Sequence, residues 1–510
     1  MIYYLDCLKG ECWWGGAVAQ GGEMPLCGGV AFYEDLNGIF NSTDNQYNAL
    51  FVSNKGRYIY AEKGCTLRYE GDFAIRVSSL DGEADISEGH GSLKGAYRAA
   101  VQKHFPKGGT VPKDMVLLPQ YNSWVEMLRG IDQKKVEAYA ESIVESGLPV
   151  GTLILDDGWM RAYGDWEFDP SKFSDPAGMI NNLHRLGFRV ILWVCPFVDE
   201  DVPDYTCLEK GALVRDRFDA VAIRRWWSGR SAVLDMSSPS AQDWMEKKLN
   251  ALMRVYGVDG FKFDAGDPLY YDYDDRTFRK VTPNDQSALW AQFASKFKYS
   301  ELRACVGMGG YPIVQRLSDK NNSWTGKKGI RSLIPNMLQA GITGYTYCCP
   351  DMVGGGQESD FGKGSVQNDE FLIRSCECAA LMTMIQFSYA IWNKGSETAR
   401  KVVKSCLDLR QSYADYFKDL LEECALTGDP LMRHMEYEFP EQGFEKIKDQ
   451  FMLGEKVLVA PVLEQGARMR DVALPSGCKW LYKPTGEVFG GGQTVRVSAP
   501  LAVLPYFERV

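Results

Sequence analysis

Lys262 and Asp264 stand two residues apart in the run Gly260-Phe261-Lys262-Phe263-Asp264, which opens after Gly257 and runs into Ala265-Gly266-Asp267. Alternate side chains of a strand share a face. Gly260, Lys262 and Asp264 therefore point one way, and Phe261 and Phe263 the other. The two phenylalanines would anchor the strand on a helix layer, leaving Lys262 and Asp264 to face the middle of a sheet or barrel. Burying charges there is costly until pairing offsets it, so a structural ion pair is one reading. The favoured reading is a carboxylate held at the C-terminal end of a barrel strand, where barrel enzymes keep their chemistry.

Other carboxylates recur at the ends of expected strands: Asp156 and Asp157, Asp235, Asp267 and Asp351. Arg303 opens a further strand, and Asp319 lies in a loop beyond it. Asp156 and Asp157 could instead cap a helix, Asp351 could be a turn residue, and Asp267 suits loop support. The four histidines are scattered and no cysteines show zinc-ligand spacing. The chemistry must then come from carboxyl groups. Hydrolysis of a glycosidic bond needs two of them flanking that bond, and no cofactor. Phosphoryl transfer would want a metal cage or phosphate loop. Neither metal nor cofactor is expected.

Those residues need a scaffold, and the apolar pattern supplies one. Met115 to Pro119, Gly151 to Leu155, Phe188 to Val194, Arg303 to Gly307 and Ile342 to Tyr347 read as buried strands. Helices alternate with them: one capped by Asp132 and closed by Gly147, one near Met179 to Leu186, one from Ser240 to Tyr256. Ile330 to Leu338 follows, with Pro335 marking a start or kink, then Glu370 to Met384 and Ser396 to about Phe417. Alternation of this kind means a parallel sheet, and continuous apolar strands mean both of its faces are covered. With no glycine-rich phosphate loop, a nucleotide-binding fold loses to a (β/α)8 barrel. Residues 1–113 alternate like half-buried strands, for example Arg57 to Ala61 and Phe73 to Val77, and residues 441–510 return to short strands. The expected fold is α/β: a barrel over 114–440, an N-terminal β-sandwich over 1–113 and a C-terminal β-sandwich or sheet over 441–510. Trp13-Trp14-Gly15-Gly16 suits either a loop presenting Trp14 as an aromatic surface or a core pair at a turn.

Composition bounds the rest. A chain of 510 residues with a net charge of −10 argues against nucleic acid and anionic membrane surfaces as partners. No apolar run approaches the roughly 18 residues of a spanning helix. The first residues lack the pattern of a signal peptide. Fourteen cysteines without a regular framework read as reduced buried thiols of a cytoplasmic protein. The expected partner is an oligosaccharide or glycoside substrate; whether the chain is a homo-oligomer stays open.

Five segments together carry a family resemblance. Phe261-Lys262-Phe263-Asp264-Ala265-Gly266-Asp267 resembles the nucleophile motif of glycoside hydrolase family 31. Asp319 lies ahead of Trp324 and sixteen residues after Arg303, as that family's acid/base does. Leu155-Asp156-Asp157-Gly158-Trp159, Trp227-Ser228-Gly229 with Asp235, and Pro350-Asp351-Met352-Val353-Gly354-Gly355 resemble its sugar-contacting segments. Within the family the likeness is to the branch of the myogenesis-regulating glycosidase and bacterial α-galactosidase-like relatives. Ser228 stands where the family has proline, and Asp267 where that branch has glutamate. The resemblance implies a retaining mechanism, with Asp264 as nucleophile and Asp319 as acid and base, about 5–5.5 Å apart. Lys262 would help keep Asp264 ionised, and Asp319 would need a less polar setting or a nearby negative charge to stay protonated. Asp156, Asp157, Arg303, Trp227, Asp351 and Trp14 are the expected sugar-binding residues. Lys262 would reach the sugar's 4-hydroxyl and favour α-galactose over α-glucose or α-xylose. A transglycosylase or a sugar-binding protein without activity are the alternatives.

Overall fold

Eight parallel strands form the middle of the computed structural model, which describes every residue except 39–44, 72–73, 81, 107 and 363–366. In chain order they are β1 (Gln120–Asn122), β2 (Thr152–Leu155), β3 (Arg189–Val194), β4 (Gly260–Phe263), β5 (Tyr299–Leu302), β6 (Val314–Arg316), β7 (Cys348–Cys349) and β8 (Gln386–Phe387). They neighbour one another in the order β7-β6-β5-β4-β3-β2-β1-β8. A parallel bridge between Met352, just past β7, and Gln386 of β8 closes the ring. The fold is the barrel that the strand–helix alternation implied.

The helices begin and end where local chemistry places them. The Asp132 carboxylate accepts from the Lys135 N–H and starts the helix Gln133–Glu145. Helix Pro239–Tyr256 stops at Gly257, whose φ of +81° suits glycine, and the chain turns straight into β4. A reciprocal cap between Thr282 and Asp285 starts Pro283–Ala294. Phe261 packs 5.2 Å from Phe297 and Phe263 packs 5.2 Å from Trp290, ring centre to ring centre. Such pairs add about 0.5–1.5 kcal/mol each beyond their buried area, and they fix the facing of β4. Lys262 consequently points inward, in register with Trp193 of β3 and Glu301 of β5. Below the cavity the Gln386 amide donates to Gln120 Oε1 (2.6 Å) and Glu301 Oε2 (2.7 Å). The barrel interior thus has a polar floor, joined through the Gln386 amide.

Several strand boundaries differ from expectation. Met115 to Leu117 belong to a short helix, Lys113–Leu117, and β1 begins only after Pro119. Helix Leu333–Ile342 claims Ile342, and β7 is confined to the two cysteines. β5 precedes Arg303, while Cys305–Val306 pairs with Gln46 and Tyr47 of the N-terminal sheet. The long helix expected from Ser396 is two helices, Glu397–Ser412 and Ala414–Thr427. Apolar runs this short do not separate strand from buried helical turn. The barrel strands were further disguised by inward polar residues such as Gln120, Asn122 and Glu301.

Before the barrel, two mostly antiparallel sheets face each other, followed by a helix, Leu93–His104, that the strand pattern did not announce. Phe73, in one expected strand, lies outside the described residues. Trp13–Ala17 is a fully buried strand paired with Gln46–Ser53. Backbone pairing of Trp13 with Leu26 brings Cys12 to Cys27, and the two are joined as a disulfide. The expectation that every cysteine is reduced is therefore corrected for this pair; the other twelve are not disulfide-bonded. After the barrel, a six-stranded and a two-stranded sheet enclose Trp480 and Phe507. The larger sheet takes its first strand at Met432–Arg433, ahead of residue 441. Among the described residues no helix is long and apolar enough to cross a membrane.

Candidate active site

A cavity of about 240 Å³ opens at the C-terminal ends of the barrel strands. Asp264 follows β4 and is fixed by two donors. The Trp193 indole N–H gives a 2.7 Å bond to Oδ2, and the Ala265 N–H a 2.8 Å bond to Oδ1. The chain then turns through two left-handed residues, Ala265 (φ +53°) and Gly266 (φ +75°). A Cβ at Gly266 would sit 2.2 Å from the Trp290 ring, so this turn requires glycine. Arg303 lies 3.6 Å from Asp264 and 3.5 Å from Asp267, with its guanidinium 5.1 Å from the centre of the Trp227 ring. Trp227, 45% exposed, presents its ring at the mouth. Asp267 supports Arg303 rather than the cavity, the loop role expected for it.

Lys262 bonds Asp156 at 2.6 Å, with both side chains buried. The other Asp156 oxygen accepts from the Asp157 N–H. Asp157 is bonded to Arg129 (3.0 Å) and to the Tyr163 hydroxyl (3.1 Å). Burial raises the Asp157 carboxyl to about 6, against the pull of Arg129 and with the push of Asp156. Burial lowers the Lys262 ammonium, but Asp156, Asp264 and Glu301 together outweigh it and the net direction is up. Lys262, Asp156, Asp157, Arg303 and Trp227 all line the cavity with Asp264 and Asp319.

Asp319 differs from expectation in its setting. It faces Arg316, the last residue of β6, whose Nη1 donates to Asp319 Oδ1 at 2.8 Å. Burial pushes this carboxyl up, yet Arg316, Arg303 and Lys262 together hold it below its ordinary value. Three cations outweigh the nearby negative charge that was anticipated. Asp351 does not line the cavity. It lies behind Arg316, accepting from Nη1 at 2.5 Å and from the Lys320 N–H at 2.7 Å. Burial pushes Asp351 up, Arg316 opposes and Asp319 adds. Trp14 is also away from the cavity. It is buried in the N-terminal core, 5.8 Å from the His434 ring, on a strand whose every residue is buried. Asp235 braces a loop, accepting from Ser237, Phe278 and Gln286.

The sequence reading missed Trp193, Arg316 and the rim residues Trp124, Gln357 and Glu358. Trp193 could have been found by strand alternation on β3. Arg316 had a weaker signal, a cation three residues before Asp319 on a strand too short to recognise. Larger clefts of about 820 and 590 Å³ lie at the seams with the flanking sheets, and no carboxylate from a barrel strand end lines either. Asp272, Asp274 and Asp275 approach one another closely enough to hold a cation; the first two are exposed, and Arg224 pairs with Asp272 and Asp275.

Comparison with known proteins follows the same division of the chain. Residues 117–420 match the glycosyl hydrolases family 31 TIM-barrel domain, and residues 428–510 the glycosyl hydrolase family 31 C-terminal domain. The myogenesis-regulating glycosidase of Mus musculus is 34% identical over 404 residues, covering 77% of this chain and 56% of that protein. Alpha-glucosidase 2 of Bacillus thermoamyloliquefaciens is 25% identical over 410 residues, covering 74% and 50%. The chain thus spans about half the length of these relatives. A crystal structure of a family 31 alpha-xylosidase from a soil metagenome, complexed with xylose, superposes with a TM-score of 0.82. It is 22% identical, covers all of this chain and 79% of that one, and speaks to the fold.

Proposed function

Because the chain belongs to glycosyl hydrolase family 31, we propose that it is a retaining α-glycoside hydrolase that removes terminal α-galactose by double displacement. The observation that carries this reading is the fixed orientation of Asp264. Two N–H donors hold its oxygens at the wall of a cavity that Asp319 shares. In the first step an Asp264 oxygen attacks the anomeric carbon, the glycosidic bond breaks, and Asp319 protonates the leaving oxygen. In the second, Asp319 takes a proton from water as that water attacks, and the ester to Asp264 breaks. The cations around Asp319 suit the second step, in which it must be ionised. Trp227 and Arg303 offer a ring face and a cation to the bound sugar, beside Asp156 and Asp157.

The preference for galactose rests on Lys262 and Asp156, which present an ammonium and a carboxylate on one wall. A site built on buried hydrogen bonds to one hydroxyl rejects the epimer strongly, since the wrong sugar leaves polar groups unpaired. A panel of nitrophenyl α-glycosides of galactose, glucose, xylose and N-acetylgalactosamine tests it. The galactoside is expected to exceed the glucoside by at least about tenfold in kcat/KM, roughly 1.4 kcal/mol. Preference for the glucoside or xyloside would favour the activities named for the Bacillus relative and the superposed structure. Products formed with an added sugar acceptor separate hydrolysis from transglycosylation.

A further inference from the structure

Arg316 and Asp351 are the charged groups bound most tightly around Asp319, and neither has a place in the two-step chemistry. Arg316 ends β6 and Asp319 follows three residues later, so guanidinium and carboxylate leave the same strand end. Asp351 arrives from the end of β7 with a φ of +83°. It grips both flanks of Asp319: the Arg316 guanidinium on one side and the Lys320 N–H on the other. The same nitrogen, Arg316 Nη1, donates to Asp319 and to Asp351. The two carboxylates also share one narrow space. A Cβ on Gly356 would stand 3.1 Å from Asp319 Oδ1 and 2.9 Å from Asp351 Oδ1.

A guanidinium stays charged at any working pH, so a carboxylate bonded to it is favoured in the ionised form. The second step uses that form, whereas the first needs a proton on Asp319. We propose that Arg316 and Asp351 together set when Asp319 carries its proton: Asp351 draws off part of the guanidinium's attraction, and so leaves Asp319 able to be both acid and base. Other charges face the same point. Arg303 and Lys262 add attraction from the ends of β5 and β4, Asp264 lines the same cavity, and Glu301 lies 3.6 Å behind Arg316. Among the described residues Asp351 is the one other carboxylate bonded to the Arg316 nitrogen that holds Asp319, which makes it the counterweight. Arg316 and Asp351 are thus positioning residues acting through Asp319, and the inference rests on Asp319 being the acid and base.

The test is the pH dependence of kcat/KM on a disaccharide of the preferred sugar, whose poor leaving group needs the acid. Its basic limb reports the acid's ionisation in the free enzyme. Asp351→Asn leaves the guanidinium's charge on Asp319 and should move that limb down by about one pH unit or more; Arg316→Met should move it up by a similar amount. Arg316→Lys keeps the charge and should restore the limb to near its wild-type position. Asparagine tolerates positive φ, so Asp351→Asn suits its backbone. Circular dichroism identifies which variants fold, and each folded variant decides. Lower activity with the limb unmoved would overturn the proposal, since a merely structural role predicts that result. An Asp319→Ala enzyme that keeps the basic limb would instead refute Asp319 as the acid.

Discussion

Replacing Lys262 with methionine removes the ammonium bonded to Asp156 at 2.6 Å, where both side chains are almost wholly buried. Methionine keeps most of the lysine stem, so the change is one of charge more than of packing. Asp156 is left with an N–H bond from Asp157 and no bonded cation. Truncating one partner of a buried pair costs about 3–5 kcal/mol, because the other charge stays behind. At about 2 °C per kcal/mol for a large domain, the barrel's melting midpoint should fall by roughly 6–10 °C. The second effect is on specificity. If the pair reads the 4-hydroxyl, a galactoside preference of about tenfold or more should shrink to within about threefold, a loss of roughly 0.7 kcal/mol or more. The double variant Asp156→Asn, Lys262→Met should melt higher than Lys262→Met alone, since it removes the stranded charge. Thermal unfolding by circular dichroism and kcat/KM on the two nitrophenyl glycosides measure both effects. A variant with the wild-type midpoint would refute the argument about buried charge. One with the wild-type sugar ratio would refute Lys262 as the specificity residue, leaving family and fold untouched.

Four further outcomes are expected. Asp264→Asn should abolish turnover with the fold intact, as an amide cannot act as nucleophile; wild-type turnover would end the double-displacement reading. Asp319→Ala should damage hydrolysis of sugar leaving groups far more than of activated phenols, and equal losses would show that Asp319 is not the acid. Chelators should leave activity unchanged, and inactivation reversed by one added metal would contradict this. The last concerns Glu34, whose carboxyl burial pushes up to about 8 despite the lowering bond from the Ala17 N–H. Folding then favours the neutral acid, so its stabilisation is whole below about pH 4.5 and is lost as pH rises through 8. Glu34→Gln should flatten the decline in melting midpoint between about pH 5 and 8; an unchanged slope would count against it.

Much of the architecture was legible from local pattern. The alternation of Phe261 and Phe263 with Lys262 and Asp264 is a property of one strand, and it fixed both faces of β4 before any neighbour was known. Asp132, Gly257 and the helices they bound were equally local. Asp264 as a strand-end carboxylate also followed from its own segment, whereas Asp319 was recognisable only by its likeness to a family motif.

What the tertiary structure alone decided is which charges meet. Lys262 was expected to serve Asp264, its neighbour on the strand face, yet barrel closure sets it against Asp156, just past the end of β2. Asp264 receives instead the Trp193 indole from β3, and Asp319 receives Arg316. Asp351 and Trp14, both expected to touch sugar, are drawn away. One lies behind a guanidinium and the other is buried in a sheet. Cys12 and Cys27 meet because Trp13 pairs with Leu26. The physical reason is common to all of these. Spacing along a chain sets the direction of a side chain within its own element. Partners across elements depend on inter-strand register and on how the barrel closes, which are settled by contacts far apart in sequence.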